Sequence, residues 1–122
     1  MGQSSSTQNV AVLAGTVTSE PTRRSLPSGV DVVNFDLSTP VDGQRVSVPL
    51  AWHDPSASAM SSFDVGEEVV VVGIVRRRFF RSGGRTQSRT EVVVDSLVPA
   101  RRAKSARSLR AAAAERVRPA DE

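Results

Sequence analysis

Cysteine and tyrosine are both absent from this 122-residue chain. Without thiols, neither a disulfide framework nor a thiolate zinc site can form, which accords with a reducing compartment. Histidine is almost absent: His53 stands alone beside Asp54, with no second histidine or cysteine to share a metal and no nucleophile to activate. No metal, no cofactor and no catalytic constellation are therefore expected. Long apolar runs are missing too. The longest, residues 69–75, is too short to cross a bilayer and reads as a buried strand, so no membrane association is expected. Residues 1–8 are polar and uncharged, with no basic segment leading into an apolar one, so they read as a flexible N-terminus and not as a secretory signal. Aromatic residues number only four Phe and one Trp.

What is plentiful is arginine. Of 16 basic residues, 15 are Arg and only Lys104 is Lys. Arginine offers a planar fork that binds phosphate and stacks on bases; codon usage in a GC-rich genome is the bland alternative. The net charge of +3 conceals segregation. Residues 1–75 hold three Arg against eight acids, residues 76–89 hold six Arg and no acid, and residues 101–118 hold seven Lys or Arg against Glu115 alone. Two basic stripes on an otherwise acidic chain form an electrostatic footprint for a polyanion such as nucleic acid.

Short β-rich runs separated by turn residues fill the first hundred positions. Residues 10–18 form the first, with Gly15 inside it to permit a bend. Pro21 and residues 26–29 have turn chemistry. Residues 30–39 alternate, placing Val33, Phe35 and Leu37 on one face. Asp42-Gly43 marks a hairpin turn, and residues 44–52 form the third strand, demoted in part by Pro49 to an edge or bulge. Asp54-Pro55 opens a short helix through Ser62, with Pro suited to a first turn; Phe63 and Val65 would close it onto the core. Residues 67–81 form the longest strand, interrupted at Gly73. A tight turn at Ser82-Gly83-Gly84-Arg85 leads to a fifth strand over residues 86–98. Three strands, a short helix, then a two-stranded hairpin is the element order of the five-stranded OB barrel, an all-β fold. The domain boundaries that follow are 1–8, 9–99 for the barrel and 100–122 for a basic, Ala- and Arg-rich tail. Residues 103–117 have good helix propensity but almost no apolar stripe, and read as a solvated segment ordered only on binding.

The chemistry concentrates in Arg76-Arg77-Arg78-Phe79-Phe80-Arg81, continuing through Arg85 to Arg89. Alternation places Arg76, Arg78 and Phe80 on one face and Arg77, Phe79 and Arg81 on the other, with one of the two Phe expected inside. Cations along a backbone and flat rings against bases are what single-strand binding requires.

In order along residues 9–98, the chain resembles the bacterial single-stranded DNA-binding proteins. Residues 9–17, Asn9-Val10-Ala11-Val12-Leu13-Ala14-Gly15-Thr16-Val17, are similar to their first strand. Pro21 with Arg23, then Leu26-Pro27-Ser28-Gly29, is similar to their first loop. Asn34-Phe35-Asp36-Leu37-Ser38-Thr39 resembles the second strand, and Val65-Gly66-Glu67-Glu68-Val69 the lead into the fourth. The resemblance implies an OB fold, non-catalytic and sequence-independent binding of single-stranded DNA in replication, recombination or repair, and a homo-oligomer (dimer or tetramer) in the cytoplasm, at the nucleoid. It places Trp52 and Phe80 at two base-stacking positions; with the basic residues, the candidate DNA-binding set is Trp52, Arg76, Arg78, Phe79, Phe80, Arg81, Arg85, Arg89, Arg23 and Arg24. Trp52 has a competing reading as a core anchor.

Two departures stand out. Two further family aromatics find no counterpart, one in the shortened stretch 40–44 and one near Val46. The acidic tip through which family members recruit protein partners is not seen in Arg118-Pro119-Ala120-Asp121-Glu122, so those partners are not expected. The basic tail touches DNA or keeps the chain soluble. An OB-fold adaptor docking a protein, and an RNA-binding protein, are the alternative functions, since stacking platforms do not reject a 2′-hydroxyl without a specific contact.

Overall fold

A computed structural model describes residues 7–119; most of the flexible segment expected at residues 1–8 lies outside the described residues. The elements run β1 (Ala11–Val17), β2 (Thr22–Ser25), β3 (Asp31–Val41), β4 (Gln44–His53), α1 (Ala57–Met60), β5 (Glu68–Ser82), β6 (Arg85–Pro99) and α2 (Ala103–Arg116). Strands are ordered β1-β5-β6-β4-β3-β2, and a further β1–β3 pairing closes β1, β3, β4, β6 and β5 into a five-stranded barrel. The all-β, OB-like architecture is therefore as the element order predicts.

Closure depends on β1 serving two neighbours. Residues 11–16 pair with β5, and Thr16 and Val17 pair with β3. At Gly15 a Cβ would collide with the Ser38 carbonyl, and at Gly73 with the Val93 carbonyl. Only glycine lets the backbones approach so closely. Gly73 also sits at the one register shift of the β5–β6 ladder, where the strand bends around the barrel.

The β3–β4 and β5–β6 hairpins have two-residue turns. Val41 pairs with Gln44 across Asp42 (φ 50°) and Gly43 (φ 79°), and Ser82 pairs with Arg85 across Gly83 (φ 60°) and Gly84 (φ 78°). Two consecutive positive φ values are the type I′ geometry whose twist matches the flanking strands. Pro49 pairs with Asp36 of β3, while β6 joins β4 only at Leu50 and Ala51; at Pro49 the strand has no ladder partner on its second side.

The core is formed by inward-facing residues of all five barrel strands, including Val17, Val33, Phe35, Leu50, Val69 and Val92, with Phe63 after α1. The Phe63 and Phe35 rings lie 5.4 Å apart. Val65, expected beside Phe63, is exposed instead. The helix is shorter than expected: Ser56 caps it by accepting from the Ala59 N–H at 3.1 Å, so Pro55 precedes the cap and stays outside the first turn.

Two elements differ from the reading above. β2 is an added strand, paired antiparallel with β3 in a hairpin over Leu26–Gly29 turn residues. The segment read as a solvated tail is the helix α2, packed against β5 and β6. Its contact face is small, with Ala106 and Ala113 buried, and alanine permits close approach without registering as an apolar stripe. Val70 and Val72 of β5 point away from the core, and both are buried. Arg101 donates to Glu67 at 2.6 Å and Arg116 to Asp95 at 3.2 Å, pinning both ends of the helix. No helix among the described residues is long and apolar enough to cross a membrane.

Candidate nucleic-acid interface

β5 and β6 each run 15 residues. Their inner halves belong to the barrel; beyond Gly73, β5 loses β1 as a neighbour and continues with β6 as a two-stranded arm. Asn9 seals the point of departure: its side-chain amide donates to the Val75 carbonyl and accepts from the Val75 N–H, at 2.8 and 2.9 Å. Along the arm, exposure alternates as expected. Arg76, Arg78 and Phe80 are half-buried, whereas Val75, Arg77 and Phe79 are exposed.

The half-buried face turns toward β2 and β3 and forms a groove with two adjoining clefts. The first, about 310 Å³, is lined by Arg24, His53 and Arg76 to Arg78 over an apolar floor of Leu26 and Val32. The second, about 400 Å³, carries Arg24, Arg78 and Arg89 alongside Asn34, Glu20 and Asp36. Arg24 and Arg78 are common to both. Arg24 is steadied by donating from Nε to the Asn34 Oδ1 at 3.2 Å.

Beneath the arm lies a residue that composition alone overlooks. Glu91 is only 1% exposed, with Arg76 Nη2 at 2.6 Å and Arg78 Nε at 3.6 Å from its Oε2. A buried carboxylate is tolerable only when paired. The signal for it was present in the sequence: a two-residue turn at Gly83-Gly84 fixes the register, and counting back places Glu91 opposite Arg76. The same count places Arg78 opposite Arg89, a like-charge pair; Asp36 relieves it at 4.0 Å from Arg89.

The expected site residues thus separate. Arg24, Arg76, Arg78 and Arg89 converge on the groove. Phe80 lies beneath Arg78, whose guanidinium carbon is 5.2 Å from the ring centroid. Phe79 is 65% exposed on the opposite face of the arm, so neither Phe is a core residue. Arg81 braces the turn by donating to the Gly84 carbonyl at 2.9 Å, and Arg85 is exposed beside it. Arg23 pairs with Asp31 at 3.2 Å. Trp52 is 8% exposed and belongs to the core cluster, paired across the ladder with Val33. Alternation from Leu50, itself fully buried, carries the indole inward. No group of three or more His, Cys, Asp or Glu side chains is arranged to hold a metal among the described residues.

A closed five-stranded barrel of this strand order, with a basic groove between its added hairpin and its long arm, is an OB-like binding barrel. The chain belongs to the single-strand binding protein family, whose model matches residues 8–99. The match ends with β6, leaving α2 outside it. The chain is also similar to a single-stranded DNA-binding protein of Oceanobacillus iheyensis, 32% identical over 98 residues. That match takes in 73% of this chain and 61% of the relative's length.

Proposed function

We propose that this protein binds single-stranded DNA, without catalysis and without sequence preference, along the groove between the β2–β3 hairpin and the β5–β6 arm. The observation that carries the reading is the convergence of Arg24, Arg76, Arg78 and Arg89 on two adjoining clefts in a chain of this family. Phosphates are met by Arg24, Arg89 and the outward cations of the arm, including Arg77, Arg81 and Arg85. Bases are met in the groove by Phe80 and the planar guanidinium groups and on the outer face of the arm by Phe79, surfaces on which every base can stack regardless of identity. Arg23, engaged with Asp31, supports β2 and contributes at the margin.

In this reading the bound strand is kept unpaired and sheltered, in the service of replication, recombination or repair. The protein works as a homo-oligomer, a dimer or a tetramer, in the cytoplasm at the nucleoid. The barrel over residues 9–99 is the binding unit, and residues 100–122 form an accessory segment.

Fluorescence anisotropy with labelled dT and rU oligomers, beside duplex DNA of equal length, tests the reading. Tight dT binding that weakens steeply with salt and exceeds duplex binding supports it. Equal binding of rU would extend the substrate to RNA, and binding of none of the three would favour a protein-docking adaptor.

A further inference from the structure

Two guanidinium nitrogens in the groove are enclosed without a hydrogen-bond partner: Nε of Arg76 and Nε of Arg78. Enclosed donors are costly when left unpaired, and two of them beside one cleft mark a place that an acceptor-bearing occupant would complete. Arg78 differs from the other cations of the arm in what holds it. The Phe80 ring lies beneath its guanidinium at 5.2 Å, and the carboxylate of Glu91 lies beside its Nε at 3.6 Å. That carboxylate serves two arginines, with the shorter contact, 2.6 Å, going to Arg76. The Arg78 side chain keeps 31% of its surface exposed and lines both clefts.

The first cleft is shaped for more than a phosphate. Its floor is the apolar pair Leu26 and Val32, with the His53 imidazole among its walls. A volume of about 310 Å³ falls within the range of small-molecule clefts. Such a site suits a flat ligand with apolar faces and acceptor atoms on its edge. With Trp52 in the core, no indole is available to serve as its platform.

We propose that Arg78 is a base-stacking platform: a nucleobase lies against the guanidinium, which is itself supported by Phe80 and fixed by Glu91. The guanidinium is planar, delocalised and weakly hydrated, so it stacks as an aromatic ring does, and unpaired bases are known to use arginine planes in this way. The inference rests on the single-strand reading above, and gives Arg78 a task distinct from phosphate neutralisation.

The test compares the full chain with its Arg78→Lys variant on a labelled dT oligomer and on an abasic oligomer of identical backbone. Lysine keeps the charge and loses the plane. Arg78→Lys should weaken dT binding about tenfold, the scale of one lost base stack, while abasic binding and both salt slopes stay unchanged. Equal loss on both oligomers, or no loss on either, overturns the platform. In the wild-type protein the Arg78 Nε–H resonance should shift on adding dT and hold still on adding the abasic strand; the same shift with both overturns it independently of any variant. If wild-type protein binds dT no better than duplex, the single-strand reading fails instead.

Discussion

Arg76 and Glu91 stand opposite one another in the β5–β6 ladder, joined by a 2.6 Å hydrogen bond from Nη2 to Oε2. The pair brings a carboxylate into the barrel wall and turns one cation of the arm into a structural brace. Six arginines over residues 76–89 therefore present fewer free charges than their number suggests. Glu91→Gln should cost about 1–3 kcal/mol in urea unfolding, less than breaking a wholly buried pair because both arginines remain partly exposed. The same variant should bind a single strand with a steeper salt dependence, since a competing negative charge is gone. Wild-type stability would mean that the carboxylate contributes nothing net.

The groove cations set a second expectation. Should about four phosphates be neutralised, log affinity falls against log salt with a slope near −3, from roughly −0.7 per contact. Arg24→Gln with Arg89→Gln should flatten that slope by about 1.4 and weaken binding alike for every base composition, because phosphate contacts carry no sequence information. A salt titration of the double variant showing an unaltered slope would move the binding surface away from the β2–β5 groove.

Trp52 offers a check that needs no variant. Enclosed in the core, it should emit at a blue-shifted wavelength and respond little to added dT. Trp52→Ala should lower stability by about 3–5 kcal/mol, as large-to-small core changes do. Strong quenching by DNA, with a red-shifted free emission, would return the indole to the binding face.

α2 makes the accessory segment a structural one. Ending the chain at Ala100 removes the packing of α2 on β5 and β6 together with the Arg101–Glu67 and Arg116–Asp95 pairs. The exposed ion pairs are worth little, so the loss should come from the apolar surface that the helix covers on the two strands, at about 2–4 kcal/mol. Thermal melts of the shortened chain should stay cooperative at a lower midpoint; an unchanged midpoint would mean that α2 adds nothing to the barrel.

Asp31 ties β2 to β3, accepting from the Ser25 hydroxyl at 2.7 Å and from Arg23 at 3.2 Å. Those two donors, the hydroxyl foremost, hold its carboxyl below the usual value of 3.8. A lowered folded-state pKa means that the carboxylate form favours the fold: the contribution is complete above 3.8 and fades as pH falls through the folded value. Amide exchange in β2 should therefore quicken, relative to the barrel core, as pH falls below 3.8. Asp31→Asn should show fast β2 exchange already at neutral pH and no such transition.

Much of this molecule was legible in its sequence because the relevant signals are local. Asp42-Gly43 and Gly83-Gly84 announce their turns, Gly15 and Gly73 their bends, and the alternation from Arg76 to Phe79 its two faces. The failures share a different cause. Thr22–Ser25 carries no apolar alternation, since β2 pairs only with β3 and is exposed throughout, so nothing in it reads as a strand. Trp52 carries two readings in the sequence, a stacking ring by resemblance and a core anchor, and the inward phase of β4 places it in the core cluster. α2 hides its contact face in alanines, and the value of Ala106 and Ala113 appears only once the helix is seen against β5 and β6.

The two strands of the arm continue from Val69–Val72 in the barrel, across the register shift at Gly73, to the turn at Gly83-Gly84. Mechanically the arm is a cantilever clamped in the core, roughly 20 Å long beyond Val75 at about 3.3 Å per residue. A load at its tip passes through the paired strands into the clamp. Strand capture at the tip should therefore slow the opening of buried barrel amides far from any nucleotide, making the barrel's own breathing a gauge of occupancy.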